Sequence, residues 1–342
     1  MKIGIVHRRM RFKIPGGTSR GILREKDSWF ISLLNGGITG IGECSTIKGL
    51  SIDEENGLRE KIQLINDGLA YEEITDDFLL GAPALRFAIE VARRDLEMGG
   101  VKRLYETSFL ENTGIPINGL VWMGDKKFMY DQIRDKINSG YNCIKIKIAA
   151  IDFNSEIELL KYIRSQFTAS DMEIRVDANG GFTNDEALEK LKTLSDYDLH
   201  SIEQPIPQGQ SEMMAKLCAY SPLDIALDEE LIGVRSLEDK QRLLSEIKPQ
   251  YIILKPSLLG GIQASQEWIN IADGYGMKWW VTSALEANIG LNAIAQWTAS
   301  LNSSMYQGLG TGQLFTNNIG SPLYIKNGYL CHGSNPWDNI FV

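Results

Sequence analysis

The sequence predicts an α/β protein: a modified TIM-type (β/α) barrel preceded by an N-terminal α+β domain. Three observations predict it. Eight short apolar runs alternate with amphipathic helical stretches from about Ile115 onward. The strand–helix unit recurs about every 27 residues, as parallel strands joined by crossover helices do. Five of the runs end in charged side chains. Eight units in about 200 residues suit a closed barrel better than an open sheet. No G-x-G-x-x-G follows the first run, so the phosphate-binding turn of open dinucleotide folds is missing.

The elements follow in order. Residues 2–12, 28–35 and 38–43 read as strands. Residues 53–66 and 84–97 read as helices; in the second, Leu85, Ala88, Ile89, Ala92 and Leu96 recur at helical spacing. Strands followed by helices make a small α+β domain, placed at residues 1–110. The barrel, residues 111–318, takes its strands from 117–121, 143–148, 173–177, 201–203, 224–228, 251–255, 278–282 and 305–309. Between them 128–138, 156–167, 185–194, 237–247, 264–272 and 290–299 read as helices. The pattern around Tyr220 is weaker and predicts a short helix. Residues 319–342 form a last segment.

Composition narrows the function. Hydrophobic residues make up 43% and charged residues 23%, an ordinary globular balance. The net charge of -9 offers no general basic field for a phosphate backbone, which disfavours nucleic acid as a partner. A small anionic substrate therefore needs local positive charge or a metal. Cys44, Cys143, Cys218 and Cys331 are scattered, without a C-x-x-C pair, and read as reduced core thiols. Met1-Lys2-Ile3-Gly4 opens no apolar leader, and no apolar run approaches the about 20 residues that span a bilayer. The expectation is a cytoplasmic protein without a membrane partner. The oligomeric state is left open.

The polar residues at the strand ends carry the chemistry. Lys145 and Lys147 lie in I-K-I-K-I, Asp177 in V-D-A-N, Glu203 in I-E-Q-P, Asp228 and Glu229 in L-D-E-E, and Lys255 in L-K-P. Lys147 to Asp177 is 30 residues, followed by steps of 26, 25 and 27 to Glu203, Asp228 and Lys255. Each step is one strand–helix unit, so these groups meet at the C-terminal mouth of one barrel. Strand alternation sets Lys145 and Lys147 on one face, opposite Ile144, Ile146 and Ile148. A single acid after a strand is commonly a helix cap. Three in register with two lysine strands need a cation to join them. Carboxylates with no histidine or cysteine nearby favour Mg²⁺, with Mn²⁺ as the alternative. A lysine acts as a base only when neutral, and a neighbouring lysine and a divalent cation both disfavour its charged form. Lysine, metal and carboxylates together point to proton abstraction beside a substrate carboxylate, with the metal against the enediolate charge. The three histidines lie away from the strand ends: His7 in the first domain, His200 opening a strand, His332 near the C-terminus.

The ordered series K-x-K, D-A-N, E-Q-P, D-E and L-K-P resembles the lysine-based, muconate-lactonizing-enzyme-like branch of the enolase superfamily over most of the chain. The resemblance implies an N-terminal capping domain, to which residues 319–342 return. It implies Asp177, Glu203 and Asp228 as metal ligands, Lys147 as base, Lys255 across the substrate, and Asn179 and Glu229 as supporting groups. Within that branch, P-G-G-T-S-R-G at 15–21, S-A-L-E-A-N-I-G at 283–290 and G-L-G-T-G-Q-L-F-T-N-N at 308–318 resemble the o-succinylbenzoate synthase family. Dipeptide epimerases of the branch carry an acidic D-x-D where this chain has Gly310-Thr311-Gly312. Glu230, where many relatives have serine, is a departure expected to point away from the site. The resemblance implies a carbon–oxygen lyase that dehydrates 2-succinyl-6-hydroxy-2,4-cyclohexadiene-1-carboxylate. Arg20, Ser283, Thr311 and Gly312 are the expected substrate contacts, with Arg20 and its loop closing over the succinyl group. The alternatives are an N-acylamino acid racemase or dipeptide epimerase on the same site, and a non-catalytic barrel that binds a metal–carboxylate ligand.

Overall fold

The computed structural model describes residues 1–18, 21–54 and 56–341. Three antiparallel strands open the chain in the order β1 (Lys2–Thr18), β2 (Gly21–Asn35), β3 (Ile38–Ser45). Helices α1 (Leu58–Asn66) and α2 (Pro83–Glu97) pack on this sheet. The α2 backbone reaches β3 because Gly42 has no side chain: a Cβ there would lie 1.9 Å from the Ala88 carbonyl oxygen. The β1–β2 hairpin is longer than its hydrophobic pattern predicts and pairs as far as Thr18 with Gly21. Its outer arm is mostly exposed, so backbone pairing forms it without an alternating pattern to betray it. Helix α1 starts at Leu58 rather than near residue 53. Gly57 turns the chain at a φ of 75°, and Asp53 instead accepts the Ala84 N–H at 2.8 Å, at the start of α2.

The barrel strands are β5 (Gly119–Val121), β6 (Cys143–Lys147), β7 (Glu173–Asp177), β8 (Ser201–Glu203), β9 (Ile225–Leu227), β10 (Tyr251–Leu254) and β11 (Lys278–Val281). They pair in parallel, in chain order. The eighth predicted run forms no regular strand. Gln307 bridges Ile117 and Gly308 bridges Thr282, both parallel, so two residues close the ring. A strand β4 (Ile115–Pro116) pairs outside the barrel with the hairpin β12 (Leu323–Lys326) and β13 (Tyr329–His332). Beyond it, Ile340 packs in a buried cluster with Met10 and Phe30 of the first sheet and Leu258 of the barrel.

The crossover helices are α3 (Lys126–Asn138), α4 (Phe153–Arg164), α5 (Asn184–Ser195), α6 (Ser211–Tyr220), α7 (Leu237–Ile247), α9 (Ile262–Gly274) and α10 (Asn288–Ser300), with a single turn α8 (Pro256–Leu259) after β10. Several carry their own start signals. Asp125 accepts the Phe128 N–H, Asp152 the Ser155 N–H and Ser236 the Asp239 N–H, all within 3.0 Å. The acids that end the strands are different residues.

The floor of the barrel is a polar–aromatic plug. The Arg175 guanidinium stacks 4.1 Å from the Trp280 ring and donates to the Tyr306 carbonyl at 2.9 Å. His200 packs on Tyr251 and Trp280. Burial, then the Arg175 charge, pushes the His200 imidazole down to about 4. Among the described residues no helix is long and apolar enough to cross a membrane.

Two predictions follow from this packing. A Cβ at Gly308 would stand 2.4 Å from Thr282 Oγ1, where the barrel closes. Gly308→Ala should therefore destabilise the protein by about 1–3 kcal/mol in urea titration. His200 is held neutral, so the folded chain binds fewer protons than the unfolded one below the ordinary histidine value of 6.5. Its share of the stability is intact above that pH and is lost as the pH falls towards about 4. His200→Gln should flatten that acid limb when urea midpoints are compared across the range.

Candidate active site

Strand register assembles the site. In the β6–β7 ladder Lys147 stands beside Asp177, and in the β7–β8 ladder Asp177 stands beside Glu203. Asp228 directly follows β9 and Lys255 directly follows β10. All six charged groups, with Lys145, lie at the C-terminal side of the barrel and are at least nine-tenths buried. None of the three acids caps a crossover helix: α5 and α6 begin well downstream of Asp177 and Glu203.

The contacts alternate in sign. Lys147 Nζ donates to Asp177 Oδ2 at 2.7 Å and to Asn179 Oδ1 at 2.6 Å. Lys145 Nζ lies 2.8 Å from Asp177 Oδ2 and also contacts Glu203. Lys255 contacts Asp228 and lies 3.7 Å from Glu203 Oε1. Asn179 holds a left-handed backbone at a φ of 44°. Its N–H donates to Asp177 Oδ1 at 2.9 Å and its amide to Glu229 Oε1 at 3.0 Å. Asn179 is thereby oriented on both sides, and its oxygen is aimed at Lys147. Glu230 turns away from the lysines: it accepts from the Gln204 amide at 3.0 Å and from the Gly209 N–H at 2.9 Å.

Burial alone disfavours every one of these charges. For Asp177 it is overridden by Lys145, Lys147 and Lys255, which hold the carboxyl well below its usual range. For Lys145 burial is outweighed by Asp177 and Glu203, and its ammonium is held above the usual value. Lys255 is raised likewise, by Asp228 and then Glu203. Glu203 is the exception: burial, then the neighbouring Asp177 charge, pushes it up to about 8.

A divalent cation suits this donor set. The three acids come from adjacent strands and offer hard oxygens, with no thiolate or imidazole among them. Glu203 Oε1 is buried and accepts no hydrogen bond from the described residues, a lone pair that a cation would satisfy. As the side chains stand, lysine ammoniums occupy the place between the acids. Among the described residues no three acid, histidine or cysteine groups are gathered to hold a metal.

Above these groups opens a cavity of about 300 Å³, lined by Lys145, Lys147, Asn179 and Lys255 from the barrel and by Leu23, Ile47, Lys48 and Leu50 from the first domain. Ser283 and Thr311, expected as substrate contacts, are among the residues that line it. Gly310 lines it rather than Gly312, whose Cβ position faces Leu291 and Asn288 of α10. Arg20 lies outside the described residues. The structure adds residues that sequence reasoning missed. Asn118 and Thr282 line the cavity, and each has a buried side-chain oxygen without a hydrogen-bond partner among the described residues. The signal for both was a polar residue in an apolar strand run. Lys13, Lys48 and Lys136 bring three further lysines to the lining. The four cysteines are free and buried. His7 pairs with Asp27 in the first domain, far in the chain from the strand-end cluster.

Comparison with known proteins shows the family to which the chain belongs. The family model for an enolase C-terminal domain-like domain matches residues 129–336. The chain is 47% identical to the o-succinylbenzoate synthase of Desulfotalea psychrophila, over 93% of this chain and 95% of that one. It is 25% identical to an N-succinylamino acid racemase of Amycolatopsis, over 96% and 91%. The crystal structure of MenC from Desulfotalea psychrophila superposes with a TM-score of 0.85 at 43% identity, covering 97% of this chain and 99% of that chain. A capped barrel with its polar residues at the strand ends, matched at this identity over nearly its whole length, belongs to the o-succinylbenzoate synthase family of the enolase superfamily.

Proposed function

We propose that this chain is the Mg²⁺-dependent dehydratase that converts 2-succinyl-6-hydroxy-2,4-cyclohexadiene-1-carboxylate to 2-succinylbenzoate, a step of menaquinone biosynthesis. The observation that carries this reading is the 47% identity to an o-succinylbenzoate synthase, against 25% to a racemase of comparable coverage. The strand-end lysines and acids are all present.

Asp177, Glu203 and Asp228 would hold the ion. When bound, it supplies positive charge against the substrate carboxylate and the enediolate that forms from it. Lys147 takes the α proton. Its contact with Asn179 aims the amine, and Asn179 is itself fixed by Asp177 and Glu229. The electron pair left behind spreads into the carboxylate. Lys255, held as an ammonium, lies against the anionic face. The ring hydroxyl then leaves from C6 and takes the proton from Lys147, departing as water. Abstraction and loss occur on one face, and the ring becomes aromatic. Leu23, Ile47 and Leu50 exclude water above the ring. We assign Ser283 and Thr311 to the substrate wall and Arg20 to the succinyl end. Residues 1–110 serve as cap, 111–318 as catalytic barrel and 319–342 as returning tail. Buried free thiols suit a reducing compartment, and we place the enzyme in the cytoplasm.

A racemase or epimerase reading is favoured by one observation: Lys147 and Lys255 bracket the three acids from opposite ends of the ladder, as two-base proton transfer needs. The reading is tested by turnover of the cyclohexadiene substrate with Mg²⁺. Wild type should dehydrate it, and Lys147→Ala should lose at least about a hundredfold in kcat. A folded wild type that leaves this substrate untouched but racemises N-succinylamino acids would replace the dehydratase reading with the racemase one. Chelation should abolish turnover, and Mg²⁺ should restore it in titration.

A further inference from the structure

A second buried charged network lies behind the cavity wall, outside the lysine–carboxylate ladder. Its centre is Glu286, which is fully buried. Glu286 Oε1 accepts the Ser257 hydroxyl at 2.5 Å, and Oε2 accepts the Ser283 hydroxyl at 2.5 Å. Ser283 in turn accepts from Thr311 at 2.6 Å. Ser257 is two residues beyond Lys255, within α8. Ser283 follows β11, and Thr311 follows the segment that closes the barrel. One carboxylate therefore ties three successive strand-end loops together, and Lys255, Ser283 and Thr311 from those loops all line the cavity.

The first domain grips the same segment from the other side. Lys26 Nζ donates to the Leu285 carbonyl at 2.8 Å, beside a leucine held at a φ of 62°. Glu43 accepts the Ala287 N–H at 2.7 Å and the Gly290 N–H at 2.9 Å, at the start of α10. Gly290 leaves room for both acids, since a Cβ there would stand 2.8 Å from Glu286 Cβ. The loop carrying Glu286 is thus clamped between cap and barrel.

We propose that Glu286 is a positioning residue, acting through Ser257 on the turn that carries Lys255 and through Ser283 and Thr311 on the facing wall of the cavity. It touches neither substrate nor metal. The direction of the chain has a chemical consequence. A hydroxyl has one proton. Thr311 gives its proton to Ser283, and Ser283 gives its own to Glu286. Both hydroxyls then offer the cavity lone pairs rather than donors. The anionic groups of the substrate are left to the lysines, and the wall is suited to a substrate hydroxyl. This inference rests on the dehydratase reading for its substrate, though not for its geometry.

The test is Glu286→Gln, which keeps the shape but turns one acceptor into a donor, so one hydroxyl must reverse. Turnover of the cyclohexadiene substrate should fall roughly 10- to 100-fold in kcat, with KM moved less than threefold. Ser257→Ala should lower kcat in the same sense, and the Ser257→Ala/Glu286→Gln double variant should fall little below the worse single one. Amide hydrogen exchange should rise in residues 255–261 and 308–313 while β1 and β2 stay protected. Unchanged kcat in folded Glu286→Gln, or additive losses in the double variant, would overturn the proposal and leave the dehydratase reading standing. If wild type itself fails to dehydrate, that reading falls alone. The exchange pattern then decides the positioning role: protection unchanged in both loops overturns it. If Glu286→Gln does not fold, Ser257→Ala and Ser283→Ala carry the test, and wild-type kcat in both overturns it.

Discussion

Buried charge is the constraint on which the rest of this structure depends. Three carboxylates and three amines sit inside one barrel mouth, where an unpaired ion costs several kcal/mol. They coexist only because the parallel register interleaves them: Lys147 beside Asp177, Asp177 beside Glu203, Lys145 across both. Slip any strand by one residue and these side chains would point outward while isoleucines filled the site. The apolar outer faces of the strands, packed under the crossover helices, hold the register in place. The hydrophobic layer thus determines where charges go, and the charges determine what the site can bind.

The arrangement also stores chemical potential. Glu203 is raised by burial and by Asp177, and one of its oxygens has no donor. The same carboxylates that would hold a cation are the ones the ammonium groups of Lys145, Lys147 and Lys255 contact.

The cap is more than a lid. Lys26 and Glu43 reach across from its strands to pin the loop after β11, and Leu23, Ile47 and Leu50 cover the cavity. The wall of the cavity is therefore assembled from both domains. The cluster of Met10, Phe30, Leu258 and Ile340 seals the same seam with apolar surface. In this architecture the shape of the binding wall cannot vary independently of how the cap is seated.

Much was legible in the chain itself. The repeat of about 27 residues and the charged residues ending five of the eight runs pointed to a barrel and the rim of its site, because strand alternation and helix periodicity are local properties that sequence records directly. The strand-end lysines and acids could be picked out for that reason, whereas Asn179 was named only through the resemblance to the enolase superfamily. Other features depended on contacts distant in the chain. The eighth run shrinks to two bridging residues because Gln307 and Gly308 find partners already placed at Ile117 and Thr282. The β1–β2 arm pairs by backbone alone, which leaves no pattern in its side chains. Gly312 looked like a substrate contact within a glycine-rich loop, yet packing against α10 turns it away and presents Gly310. Glu286 lay unremarked in a loop motif, since only folding brings Ser257 and Ser283 to its two oxygens. Sequence by itself determined which side chains share a strand face. Tertiary structure decided which loops meet, because loop conformation is set by partners tens to hundreds of residues away rather than by neighbours along the chain.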